Sequence, residues 1–263
     1  MDLMRARVAL RERPLLDVLD LAVRFCAAHA RRYVQLALAV LVPAFAISWG
    51  LASAGGWWVG WTAAVAIAAF ADAPFVALAS RLVFEDDVRP VEVLRTALGA
   101  LPRLVGARLG QALLLCASVL MLGLPWLYIG PALLFCAEVV VVERAALRAA
   151  IGRAQRIASA RFGVAVGAMV LIFAVRVGGA MLADVAGREL LEGVLEVRAP
   201  PPMFQAGGSW LALLGWWSTV PLLATARFFT YLDIRTRSEG WDIQTRFAAI
   251  AARARFASAE RGG

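Results

Sequence analysis

From Leu109 to Ala137 the chain carries no charged side chain. A helix crosses a bilayer in roughly 20 mainly apolar residues, with ~17 as the lower limit, so this stretch is too long for one crossing. Pro125, Gly130 and Pro131 lie in its middle, where a missing N–H and a permissive backbone favour a tight hairpin. The same length criterion picks out apolar runs at 33–51, 57–82, 105–126, 127–142, 162–183 and 210–232. An all-α polytopic membrane protein with six transmembrane helices is therefore predicted.

Composition points the same way. Hydrophobic residues make up 62% of the 263 and charged ones 17%, against ~45–50% and ~25% in soluble domains. A disordered chain, a small disulfide scaffold and an ordinary soluble enzyme are excluded. Every basic residue is Arg, with no Lys in the chain, which removes Schiff-base and general-base lysine chemistry. Cys26, Cys116 and Cys136 are far apart, sit in apolar stretches and form no CxxC pair, so they read as small hydrophobes.

Short cytoplasmic loops retain basic residues, and the arginines give the orientation. Residues 1–32 hold seven, 81–108 five, 144–161 five and 227–261 seven, which puts 24 of 27 on one side. The other side has Arg188 and Arg198, and Arg176 lies within a span. Both termini are expected in the cytoplasm, with residues 190–208 as the sizeable outer loop. Trp49, Trp57, Trp58, Trp61, Trp126 and Trp210 fall near the outer boundary as belt residues. No short apolar region with a cleavage site adjoins the basic start, and no signal peptide is expected.

The cytoplasmic joints are amphipathic. Residues 14–32 place Leu15, Leu16, Val18, Leu19, Ala22, Val23, Phe25 and Cys26 on one helical face, and Asp20 with Arg24 form an i,i+4 pair opposite. His29 falls on the apolar side, where interfacial placement outweighs a pH-sensing role. A second version follows Pro90 with Val91, Leu94, Leu98 and Leu101 at helical spacing. A third, over 143–161, aligns Leu147, Ala150, Ala154, Ile157 and Ala158. Each precedes an odd-numbered span, so the chain reads as three units of interfacial helix plus hairpin, or as a hairpin protein whose joints are alike for general reasons.

Ionisable groups deep in spans cost about 2.5 to 3.5 kcal/mol each on insertion scales. Asp72 lies in the second run, Glu138 in the fourth and Arg176 in the fifth. This candidate intramembrane polar cluster reads either as a pair locking the bundle or as an ion or proton path. Arg176 stays charged at physiological pH, and its expected partner is Asp72. No Walker, GxGxxG, HExxH or CxxC motif is present, and a lone His beside no positioned Ser or Cys makes no triad.

Three segments carry a resemblance: the tail YLDIRTRSEGWDI, the middle AEVVVVERAALRAAIGRAQRIASARF and the N-terminal LLDVLDLAVRFCAAHARRYVQLALAVLVP. They resemble the bacterial glycerophosphoryl diester phosphodiesterase membrane-domain family and related multi-pass proteins of unknown function. The resemblance implies a helical inner-membrane domain, and no soluble stretch here is long enough for the phosphodiesterase to which some members are fused. It singles out Glu143 in the middle segment and Asp233, Arg235, Glu239, Gly240 and Asp242 in the tail, without a chemical role for any of them.

The expected organisation is a basic N-terminus with an interfacial helix (1–32), a six-helix transmembrane domain (33–232) and a cytoplasmic motif with an amphipathic helix (233–263). The expected role is a non-enzymatic inner-membrane protein, a scaffold or lipid-interacting subunit of an envelope system. The alternative is a small transporter or channel using Asp72, Glu138 and Arg176. Expected partners are membrane lipids, chiefly anionic headgroups at the cytoplasmic face, with protein partners or a second copy, and neither nucleic acid nor a cofactor or metal.

Overall fold

The computed structural model describes residues 14–85, 88–119, 122–123, 125–143 and 145–238. The basic start (1–13), Arg144 and the tail residues Glu239, Gly240 and Asp242 with the helix expected after them lie outside the described residues. What is described is helical, with no strand. The helices are α1 (Leu15–Ala28), α2 (Ala30–Gly55), α3 (Trp57–Leu82), α4 (Pro90–Val119), α5 (Trp126–Ala132), α6 (Cys136–Val142), α7 (Leu147–Ala160), α8 (Phe162–Glu189), α9 (Met203–Ala206), α10 (Trp210–Ser218) and α11 (Val220–Ser238). A single π-helical turn, Leu190–Val194, extends α8.

Four of these are long and apolar enough to cross a membrane: α2, α3, α4 and α8 with its extension. Two expected spans are not single helices. Residues 127–142 break between α5 and α6 over Leu133 to Phe135, where the Cys136 N–H donates to Leu133 O in a tightened turn. Residues 210–232 break at Thr219, because Pro221 has no N–H for the Trp217 carbonyl and its ring crowds that carbonyl. A third correction concerns the joint at 90–101, which is no separate interfacial helix. It runs straight into the span as α4, with Pro102 inside, and its buried face is Val93, Ala97, Ala100 and Leu104, while Val91, Leu98 and Leu101 point outward.

Small residues set the closest contacts. Gly56 turns α2 into α3 with φ 86° and ψ 167°, a conformation essentially restricted to glycine. Across the α8/α10 contact, a Cβ at Gly215 would lie 2.2 Å from the Gly179 carbonyl oxygen, so only glycine lets the two backbones approach this way. Helix α11 is the centre of the assembly. It packs against α1, α3, α7, α8 and α10, and a continuous stretch from Leu223 to Leu232 is buried.

Helices α1 and α7 form as expected, each 14 residues long and each ended by one non-helical residue, His29 or Arg161, before a long helix. Asp20 and Arg24 pair at 2.9 Å on the surface of α1. Its buried face is Val18, Ala22 and Phe25, narrower than expected, with Leu16 and Val23 exposed. His29 closes α1, its Nδ1 3.0 Å from the Phe25 carbonyl oxygen and its ring centroid 4.5 Å from that of Phe25 on the buried face.

Candidate functional site: a buried charge cluster

The site assembles at the level of Asp72, ten residues from the end of α3 at Leu82, or about 15 Å along that helix. Asp72, Glu138 of α6, Arg176 of α8 and Arg227 of α11 are all buried, Glu138 completely. Arg227 is the link. Its Nη1 donates to Asp72 Oδ2 at 2.9 Å, and its Nε donates to Glu138 Oε1. Arg176 Nη2 stands 3.6 Å from Asp72 Oδ1, beyond hydrogen-bond range, and its guanidinium lies over the Trp216 ring at 5.0 Å from the centroid, a cation–π contact.

The structure thus brings the three expected residues together, but with a different main partner. Arg227, counted by sequence among the cytoplasmic arginines, lies inside the bundle and is the closest cation to both acids. Arg176 takes the second place at Asp72. The missed signal was already in the run 210–232, which contains Arg227 and continues with Phe228, Phe229, Tyr231 and Leu232. Two buried acids facing one expected base also called for another cation.

A fifth charge stands beside them. Arg108 of α4 lies within electrostatic reach of Asp72, Glu138 and Arg227. Its Nε donates to Ala69 O at 3.0 Å and its Nη1 to Gln111 Oε1 at 2.8 Å, while Gln111 Nε2 donates to Leu133 O at 3.0 Å. The carbonyl at the α5/α6 break thus takes a second donor besides the Cys136 N–H, which ties the break to α4. Among the described residues, the cluster then holds three guanidiniums and two carboxylates, a net charge of +1. Glu138 Oε2, Arg176 Nη1 and Arg227 Nη2 are buried without a hydrogen-bond partner.

A second network lies nearer the end of α11. Glu143 accepts from the Tyr231 hydroxyl, pairs with Arg235 Nη1 at 3.1 Å and is bridged by Arg153 of α7. Glu143 and Arg235, singled out in separate segments, therefore meet. Asp233 pairs instead with Arg237 one turn away, at 2.8 Å. This network ties α7 to α11 and encloses no reactive group.

At the opposite end of α8, sequence reasoning missed Asp184. It is buried, accepts the Met203 N–H at 3.1 Å and the Ser209 hydroxyl, and Ser209 Oγ in turn caps α10 by accepting from Ala212 N at 3.0 Å. Trp61 Nε1 donates to Gly207 O at 3.1 Å, so loop 195–208 is pinned at both ends of α9. Asp184 lies just beyond the run 162–183, where an acid reads as an ordinary loop residue.

The cysteines are free thiols. Cys26 donates to Thr225 Oγ1 at 3.6 Å, and burial pushes its thiol up from the usual range, which suits a small hydrophobe. Among the described residues no group of three or more His, Cys, Asp or Glu is placed to hold a metal ion. No family model, no curated protein and no solved structure matches the chain.

Proposed function

We propose that this chain is a multi-pass membrane protein that acts by binding, as a lipid-interacting subunit or scaffold of a bacterial inner-membrane system, and not by catalysis. In this reading α2, α3, α4, α5–α6, α8 and α10–α11 make six crossings, α1 and α7 lie at the cytoplasmic interface, and both ends are cytoplasmic. The tail and middle motifs support kinship with the glycerophosphoryl diester phosphodiesterase membrane-domain family as part of the same proposal. The observation that carries the reading is the combination of internally paired charges with outward apolar faces. Leu38 and Val42 of α2 and Val170 and Phe173 of α8 are large and exposed, more apolar surface than water tolerates. Inside, both acids of the cluster are paired with arginines.

The second reading, a small transporter or channel, draws on the bare Glu138 Oε2 and Arg176 Nη1, since unpaired buried groups on facing helices are where a solute or proton binds. Reconstitution into liposomes decides between them. The binding reading expects no proton or ion flux above empty vesicles under an imposed gradient. A flux abolished by Glu138→Gln in a chain that still elutes as a single species overturns it.

A further inference from the structure

Of the three joints that the sequence makes alike, the structure makes one unlike the others. Helix α7 turns its apolar residues inward: Ala150, Ala154, Ile157 and Ala158 are buried, and the helix packs against α6 and α11. Arg153 goes inward with them, to Glu143. What α7 presents outward is Arg148, Gln155, Arg156 and Ser159, all exposed. No acid occurs in its 14 residues, and Arg148 and Arg156 have no ion-pair partner among the described residues. Helix α1 differs. Its exposed charges are Asp17, Asp20 and Arg24, the last two paired with each other, so its outer face carries one more acid than base. The start of α4 is mixed, with Glu85 and Glu92 exposed beside Arg89 and Arg95.

Position decides what covers the basic face. A single residue, Arg161, separates the end of α7 at Ala160 from α8, which is long and apolar enough to cross a bilayer. In the membrane reading, the end of α7 is therefore at the level where α8 enters the cytoplasmic leaflet, whose surface potential is negative. We infer that the outward face of α7 is a docking surface for anionic lipid headgroups, with Arg148 and Arg156 reading the charge, and that α1 has no such preference. The assignment rests on the membrane reading above and adds to it the element that meets the lipid charge. The two arginines are eight residues apart in the helix, about 12 Å along its axis, more than the ~8 Å screening length at physiological salt. Each then acts on its own headgroup and contributes about fivefold to the preference for an anionic lipid.

The test uses the full chain with Cys26, Cys116 and Cys136 replaced, purified in detergent and reconstituted into phosphatidylcholine vesicles. A fluorophore is attached through Gln155→Cys on α7 or, for comparison, Val23→Cys on α1. Quenching by phosphatidylglycerol and by phosphatidylcholine, each carrying the same nitroxide high on an acyl chain, gives the relative affinity of each helix for the two lipids. Phosphatidylglycerol should be favoured about twentyfold at α7 and less than about twofold at α1. Arg148→Gln should lower the α7 preference about fivefold, and Arg148→Gln with Arg156→Gln should abolish it. Raising salt from roughly 0.05 to 0.5 M should also abolish it with both arginines in place, so the test does not depend on how the variants fold. Equal quenching by the two lipids at α7, a preference as large at α1, or a preference that survives the double change overturns the assignment. No quenching at α7 by either lipid would put this face in the cytosol and overturn it in favour of an acidic soluble partner. Release of the chain from membranes by alkaline carbonate would instead sink the membrane reading, so the two failures are distinguishable.

Discussion

Arg227 touches both buried acids, while Arg176 reaches only one of them and at longer range. Removing one partner of a buried pair leaves an uncompensated charge and costs about 3–5 kcal/mol. Arg227→Leu strands two carboxylates, so thermal unfolding of the detergent-solubilised protein should show a larger loss than Arg176→Leu. Adding Glu138→Leu to Arg227→Leu should recover most of it, because Asp72 then keeps Arg176 as its cation and the cluster returns to its original net charge. A larger loss from Arg176→Leu than from Arg227→Leu would reverse the assignment. At this scale the sequence disclosed the acids but not their main base. An acid in an apolar run is conspicuous, whereas an Arg five residues from the end of a run looks the same whether it snorkels outward or turns inward. Only the helices around α11 decide which.

Among the elements, α8 and α10 depend on the glycine contact. Gly215→Ala drives a methyl into the Gly179 backbone, which cannot swing aside as a side chain can, and overpacking of this kind costs about 1–3 kcal/mol. Gly178, in the same helix with open space around it, is the control. Its replacement by Ala should be neutral or stabilising by up to about 1 kcal/mol through backbone entropy. Equal effects at the two positions would mean that the close approach is not needed. Loop 195–208 has its own anchor in Asp184. Asp184→Ala removes the acceptor for Met203 N and Ser209, at about 1–3 kcal/mol for the groups left unmet, and externally added protease should then cut within 195–208 faster than in the unaltered chain. Apolar run length located every long helix, because hydropathy is a sum over many residues. The breaks at 133–135 and Thr219 escaped it because they turn on single carbonyls: Leu133 O takes the Cys136 N–H and Gln111, and Trp217 O takes the Thr219 N–H in place of the donor that Pro221 lacks.

For the molecule as a whole, the proposed sidedness rests on the division of arginines, and single-cysteine labelling checks it. In a chain with Cys26, Cys116 and Cys136 replaced, Phe204→Cys on exposed α9 should react with a membrane-impermeant maleimide in intact cells. Arg148→Cys on α7 should react only after permeabilisation. The reverse pattern would invert the proposed topology. Periodicity made α1 and α7 legible as helices, and in both a 14-residue helix and a one-residue break precede a long helix. The middle unit lacks the break, since α4 is continuous through Pro102.

The central position of α11 also bears on biogenesis. Ribosomes deliver a chain from its N-terminus, so Asp72 and Glu138 enter the membrane well before Arg227, and the element around which the others pack is, among the described residues, the last long one to arrive. Until then the half-made protein holds two acids with Arg108 and Arg176 as the available cations in the cluster. Nascent chains cut short before residue 220 are therefore expected to be recognised as defective and degraded.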